Sequence, residues 1–182
     1  GPLRWTVRPQ SDWALEEAVE SGLSFIENAL IKARHAARLT GLPALGDDSG
    51  LVVDALDGGP GIYSSRYAGE GADDVSNNRR LLDALAGVDA SGRSAHFYCA
   101  MALLRHAGDP APLIATGQWD GRILEAPAGS DGFGYDPLFW VPGEGCTAAQ
   151  LPADVKNRLS HRGQALTALL RQLPGEFSPS MA

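Results

Sequence analysis

Leu45-Gly46-Asp47-Asp48-Ser49-Gly50-Leu51-Val52-Val53 sets two adjacent carboxylates and a hydroxyl between glycines and follows them with an apolar β-branched run. Glycine lets a backbone turn tightly and approach a ligand closely, so the Asp47-Asp48-Ser49 segment is expected to form a bend leading into a strand over residues 51–55. Neighbouring carboxylates repel and stay ionised only where a cation or a hydrogen-bond donor compensates them. Oxygen ligands of this kind suit Mg²⁺, which commonly takes one or two carboxylates and completes its shell with water and phosphate. Glu17 and Glu20, in the acidic stretch from Asp12 to Ser21, are candidates to join Asp48 there.

Working outward, the chain of 182 residues is long enough for one sizeable core, and a single domain over residues 1–182 is expected. Apolar residues make up 44% and charged residues 20%, the proportions of a soluble globular protein. A formal charge of −7 argues against a nucleic-acid-binding surface. No apolar run is long enough to cross a membrane and no signal pattern opens the sequence. Cys99 and Cys146 are too few for a disulfide framework, which points to the cytoplasm.

Trp5 to Gln10 reads as a short strand. Ser24 and Glu27 form a capping box that opens a helix, with Phe25, Ile26, Ala29, Ala33, Ala36 and Ala37 as its apolar stripe and Gly41 as its stop. Asn28 and Lys32 share a second face of that helix, either solvent or site, and spacing alone favours the solvated reading. A second helix is expected over Ser76 to Ala86, with Leu81, Leu82 and Leu85 inward. Strands are expected at Ala95 to Leu104, Leu113 to Trp119, Arg122 to Glu125 and Leu138 to Val141, closely spaced and therefore antiparallel in part. Ser160 caps a last helix whose buried side carries Leu166, Leu169, Leu170 and Leu173, and a polar tail follows from Pro174. This mixture gives an α/β protein with a mixed sheet.

Two further stretches carry chemistry. Gly129-Ser130-Asp131-Gly132-Phe133-Gly134-Tyr135-Asp136-Pro137 exposes main-chain donors and sets two aromatics beside a carboxylate, a combination able to stack a planar base and bond its edge, or to plug a core turn. Lys156 lies just upstream of Ser160-His161-Arg162, where two cations beside a helix start make an anion site. Together with the acidic pair, these stretches describe a site for a nucleotide phosphate. A phosphate-binding glycine loop of the G-K-[S/T] type, a dinucleotide fingerprint, a nucleophile elbow and zinc-spaced cysteines are all absent from the sequence.

Five blocks taken in order resemble the inosine triphosphate pyrophosphatase family. They are Ser24-Phe25-Ile26-Glu27-Asn28-Ala29 through Lys32-Ala33-Arg34, Asp47-Asp48-Ser49-Gly50-Leu51, Pro60-Gly61-Ile62-Tyr63-Ser64, Gly132-Phe133-Gly134-Tyr135-Asp136-Pro137 and Ser160-His161-Arg162-Gly163-Gln164-Ala165-Leu166. The resemblance implies a long twisted mixed sheet flanked by helices, with a substrate cleft between two lobes. It implies Mg²⁺-dependent hydrolysis of ITP, dITP and XTP to the monophosphate and pyrophosphate by a homodimer. Asp48 would be general base and Mg²⁺ ligand, with Glu20 as the second acidic ligand, and Ser49 would contact substrate. Phe133, Gly134, Tyr135 and Asp136 would hold the purine and sugar, while Lys156, His161 and Arg162 would read the 6-oxo edge of the base.

The family opens with a strand and an S/T-x-N-x-x-K loop that grips the triphosphate, whereas Gly1-Pro2-Leu3-Arg4 resembles the region after them. The expectation is that this strand, loop and first helix lie outside the given sequence, because losing an inner strand would leave a sheet edge unpaired. Two other readings compete. A pyrophosphatase for other modified nucleotides would prefer a pyrimidine triphosphate over ITP, and a nucleotide-binding protein without turnover would bind but release no pyrophosphate.

Overall fold

The computed structural model describes residues 6–173. Five strands, β1 (Ala44–Val53), β2 (Ser94–Leu104), β3 (Leu113–Ile123), β4 (Phe139–Val141) and β5 (Cys146–Thr147), form one sheet in sequence order. Four α-helices accompany them among the described residues: α1 (Phe25–Thr40), α2 (Asp74–Ala84), α3 (Ala153–Leu159) and α4 (His161–Gln172). The α/β expectation holds. Each pairing within the described sheet is antiparallel, so the parallel pairing that a mixed sheet needs is not found among the described residues.

The opening stretch is the main correction. Residues 47–49 do not bend; they run through the middle of β1, with Asp48 opposite Ala100 and Ser49 opposite Cys99. Its glycines serve packing rather than turning. A Cβ on Gly46 would lie 2.7 Å from the Ala33 nitrogen and closer still to the Ala29 carbonyl oxygen, so α1 rests directly on the strand. Ala29 and Ala33 meet Ala100 and Ala102 beside this contact, and small residues on both sides bring helix and sheet together.

The opposite face of the sheet receives α4 in the same manner. A Cβ on Gly117 would lie 2.6 Å from the Ala165 nitrogen and would overlap the His161 carbonyl oxygen. Cys99, Met101 and Leu103 pack there on Ala165, Leu169 and Leu173. The sheet is thus the middle of three layers. Farther along this face, Leu51, Val53, Phe97, Trp119 and Phe139 form the largest core cluster with Leu81 and Leu85 from α2.

Helix ends follow their sequence signals closely. Ser24 Oγ accepts from the Glu27 N–H at 3.2 Å as expected, while Glu27 Oε2 accepts from the Ser24 hydroxyl at 2.8 Å and from the Leu23 N–H at 2.9 Å, one residue before the N–H that a full capping box would use. Gly41 closes α1 at φ 69°. In α2 the cap is Asp73, whose carboxylate accepts from the Ser76 N–H at 2.8 Å, so the helix begins two residues before the expected Ser76. Ser160 caps α4 as expected.

Three other expectations change. Residues 113–123 form one strand instead of two: Gly121, in the gap between the two expected strands, makes room for Phe139 and the Trp140 carbonyl. In α4, Leu166 and Leu170 stay half exposed: the backbone contact at Gly117 turns the Ala165–Leu169–Leu173 stripe inward. Residues 6–9 form no strand and Gln10–Trp13 is a short 3-10 turn, while Trp5 and the tail from Pro174 lie outside the described residues.

A substitution at the α1 contact tests this packing. Gly46→Ala is expected to cost about 2 kcal/mol, since backbone atoms cannot swing aside, and to lower the melting temperature by about 5 °C. Gly143→Ala, in open space, is the control and should leave it unchanged. Equal melting temperatures in differential scanning calorimetry would contradict the close approach of α1.

Candidate active site

Alternation along β1 sends Asp47 and Asp48 to opposite faces of the sheet. Asp48 faces α1 and is only 7% exposed. Lys32 Nζ donates to Asp48 Oδ1 at 2.7 Å and to the Asp47 carbonyl at 3.2 Å, and pairs with Glu20 Oε1 at 2.8 Å. Asn28 Nδ2 donates to the other Asp48 oxygen at 3.3 Å. The Asn28–Lys32 face is therefore part of the site, correcting its solvated reading. Spacing fixes that the two residues are neighbours, but the alanine contact with the sheet decides where they point.

Glu20 arrives on the segment just before α1. Gly22 lets that segment lie against the helix start, and its N–H donates to Asn28 Oδ1 at 2.9 Å. The fully buried Asn28 carboxamide thus joins the Glu20 segment to Asp48. Arg66 lies 3.8 Å from the second Glu20 oxygen. Glu17 is exposed and takes no part in these contacts among the described residues.

Burial pushes the Asp48 carboxyl above its usual range, and Lys32 only partly opposes this. For Lys32, burial would lower the ammonium, but its bonds to Asp48 and Glu20 outweigh that and hold it above 10.5. Two carboxylates therefore converge on a single cationic centre. No group of three or more His, Cys, Asp or Glu able to hold a metal occurs among the described residues. A protein contribution of two carboxylates fits a hard cation that keeps water and phosphate in the rest of its shell.

On the other face, Asp47 pairs with Arg162 Nη2 at 3.4 Å. Ser49 shares this face by alternation, in a row with Cys99 and Gly117, beneath the start of α4. The Arg162 guanidinium lies 5.6 Å from the centre of the Phe133 ring and Lys156 Nζ lies 4.8 Å from it. Lys156, on α3, pairs with the buried Asp136, which also accepts from the Phe133 N–H at 2.8 Å.

The two aromatics of the glycine-rich stretch part company. Phe133 is 60% exposed, whereas the Tyr135 ring lies in the main core and its hydroxyl donates to the Ser64 carbonyl at 2.8 Å. Burial pushes the Tyr135 phenol above its ordinary value. His161 stacks on Phe97, ring centres 4.9 Å apart and planes 12° from parallel. Its Nδ1 is buried and without a hydrogen-bond partner among the described residues.

One contiguous series thus runs from Glu20, Lys32 and Asp48 through Asp47 to Arg162, Phe133, Lys156 and Asp136. Sequence reading did not single out Asp74 and Asn78 of α2. They bond both backbone groups of Gly134, from 60 and 56 residues away. Their i, i+4 spacing was visible, but nothing in it marks a loop that far along the chain.

Comparison with known proteins gives a consistent result. The chain is 57% identical over 169 residues to a dITP/XTP pyrophosphatase of Idiomarina loihiensis, covering 93% of this chain and 84% of that one. With a dITP/XTP pyrophosphatase of Vibrio cholerae it shares 56% identity over 164 residues, covering 90% and 82%. A solved HAM1 protein from Coxiella burnetii superposes with a TM-score of 0.90 at 51% identity, covering 94% of this chain and 87% of that one. A family model described as the Ham1 family matches residues 4–172, and the chain belongs to that family.

Proposed function

We propose that this chain is a nucleoside triphosphate pyrophosphatase that hydrolyses ITP, dITP and XTP to the monophosphate and pyrophosphate. The observation that carries the reading is the convergence of Asp48 and Glu20 on one cationic centre, linked through Asp47 and Arg162 to an exposed aromatic ring flanked by cations. Relatives at 57% and 56% identity bear the name dITP/XTP pyrophosphatase and support it.

Hydrolysis requires a water aimed at the α-phosphorus, a base for its proton and compensation of the leaving pyrophosphate. Asp48 is the base in this reading: burial raises its affinity for a proton, and a carboxylate so tuned takes one more readily. Asp48 and Glu20 would hold Mg²⁺, which neutralises phosphate oxygens and acidifies a bound water. Ser49 would touch substrate from the neighbouring position of β1. Phe133 would stack on the purine, with Gly134 and Asp136 shaping the loop; Tyr135 would act through its backbone, since its ring is in the core.

Lys156, His161 and Arg162 would recognise the 6-oxo edge. A site built to donate to O6 rejects adenine, because its buried donors would then stay unpaired. Burial first, then the Arg162 and Lys156 charges, lower His161 to about 3, so it works as a neutral ring with a single N–H. The reading also includes a cytoplasmic setting, supported by two free cysteines, and a homodimer, to be tested by light scattering of the purified protein.

Pyrophosphate release from ITP, with dGTP and ATP as controls, tests the activity. ITP should turn over far faster than either control and only with Mg²⁺, and Asp48→Asn should lower kcat at least about 100-fold. Equal rates on ITP and ATP, or an undiminished Asp48→Asn enzyme, would refute the reading.

The neutral His161 has its own consequence for stability. The unfolded chain takes up a proton at His161 near 6.5, the folded chain only near 3. Its contribution is therefore whole above pH 6.5 and is lost as pH falls toward 3. By pH 5 the loss is about 2 kcal/mol, so between pH 7 and pH 5 the wild type should drop about 5 °C further in melting temperature than His161→Gln. Parallel pH profiles would show that His161 is charged in the folded protein.

A further inference from the structure

The backbone of Phe133 and Gly134 has no free polar group. The Phe133 N–H donates to Asp136 Oδ2 at 2.8 Å, and its carbonyl accepts from the Asp136 N–H at 3.2 Å. The Gly134 N–H donates to Asp74 Oδ2 at 2.6 Å, and its carbonyl accepts from Asn78 Nδ2 at 2.7 Å. Asp74 and Asn78 stand four residues apart in α2 and so present one helix face to the loop. Asn78 Nδ2 also donates to the Asp74 carbonyl at 2.6 Å. Turning that carboxamide over would set its oxygen against two carbonyls, so its orientation is fixed by its partners.

An apolar ring that is 60% exposed thus stands on a backbone held at every hydrogen-bonding group. Ordering a loop upon ligand binding costs free energy, and a loop already held in place avoids that cost. Gly134 itself sits at φ 60°, a conformation that suits glycine.

We propose that Asp74 and Asn78 are positioning residues that hold the Phe133 ring ready to stack on the purine, setting nucleotide affinity from a helix outside the chemical centre. This rests on the reading of Phe133 as the stacking residue. The two positions make opposite demands. Position 74 needs an acceptor for the Gly134 N–H, which asparagine can supply as well as aspartate. Position 78 needs a donor for the Gly134 carbonyl, which aspartate cannot supply.

Calorimetric titration of the 182-residue protein with inosine monophosphate tests this, because that probe carries base and sugar and needs no turnover. Phe133→Ala should weaken Kd about tenfold, as expected for one lost base stack. Asp74→Ala and Asn78→Asp should each weaken it about fivefold, as expected for one lost hydrogen bond, and Asp74→Asn should bind like wild type. If Asn78→Asp melts too low to titrate, Asn78→Ala removes the donor without adding charge and carries the same expectation. In the Phe133→Ala background the Asn78 substitution should change Kd less than twofold, since the ring it positions is gone. A purely structural role would not produce this non-additivity, whereas the Asp74→Asn rescue shows only that the acceptor is what position 74 supplies. Clamp variants that bind like wild type, or whose effects add to Phe133→Ala, overturn the proposal while the stacking role of Phe133 stands. Undiminished binding by Phe133→Ala overturns the stacking role and the clamp with it.

Discussion

The ion pair between Lys32 and the buried Asp48 carboxylate is what the site depends on. At 2.7 Å it compensates a charge that burial disfavours, and the same ammonium also meets Glu20 and the Asp47 carbonyl. One side chain therefore ties together α1, β1 and the segment before α1. A buried ion pair is weak evidence for stability, because desolvation offsets much of its attraction, but removing one partner typically costs about 3–5 kcal/mol. The pair survives in this environment because α1 lies at backbone distance from β1. That distance exists because position 46 has no side chain. Packing of small residues sets the electrostatics of the site.

The second constraint is the two-residue period of β1. A bend would have left Asp47 and Asp48 on one side, competing for the same cation. The strand separates them, giving Lys32 to Asp48 and Arg162 to Asp47. Two cation-bearing helices on opposite faces of the sheet are thereby connected through adjacent residues. A protein of net charge −7 can present local positive charge in this way, since each cation is held by a specific carboxylate rather than by a basic surface.

Much of this was legible in the sequence, and the parts that were not share a cause. Helix limits at Ser24, Gly41 and Ser160 were readable because caps are local hydrogen-bonding patterns. The candidate-site residues Asp48, Glu20, Lys156, Arg162 and Phe133, which the structure brings into one contiguous series, were named from residue type, order and the family resemblance. Glycine was the source of the largest errors. Gly46 and Gly50 read as a bend and Gly121 fell between two expected strands, yet all three occupy strands where another segment presses close. Local rules treat glycine as conformational freedom, and only the tertiary structure shows it as missing volume. The same limit hid Asn28 and Lys32, whose roles follow from which face of α1 the alanines bury. It hid Asp74 and Asn78 too, whose partner is more than fifty residues away.

The two cations beside Phe133 differ in how readily they can be given up to a ligand. Arg162 and Asp47 are both close to half exposed and 3.4 Å apart, and a pair in that setting is worth at most about 1 kcal/mol. Lys156 and Asp136 are largely buried, and Asp136 is further held by the Phe133 N–H. Taking Lys156 away would strand a buried carboxylate and loosen the loop that carries the ring. Arg162 can leave its partner at little cost, whereas moving Lys156 away from Asp136 costs more. His161 cannot replace either, because burial and those same two charges keep it neutral. Burial, rather than formal charge, thus sets how readily each cation can leave its carboxylate.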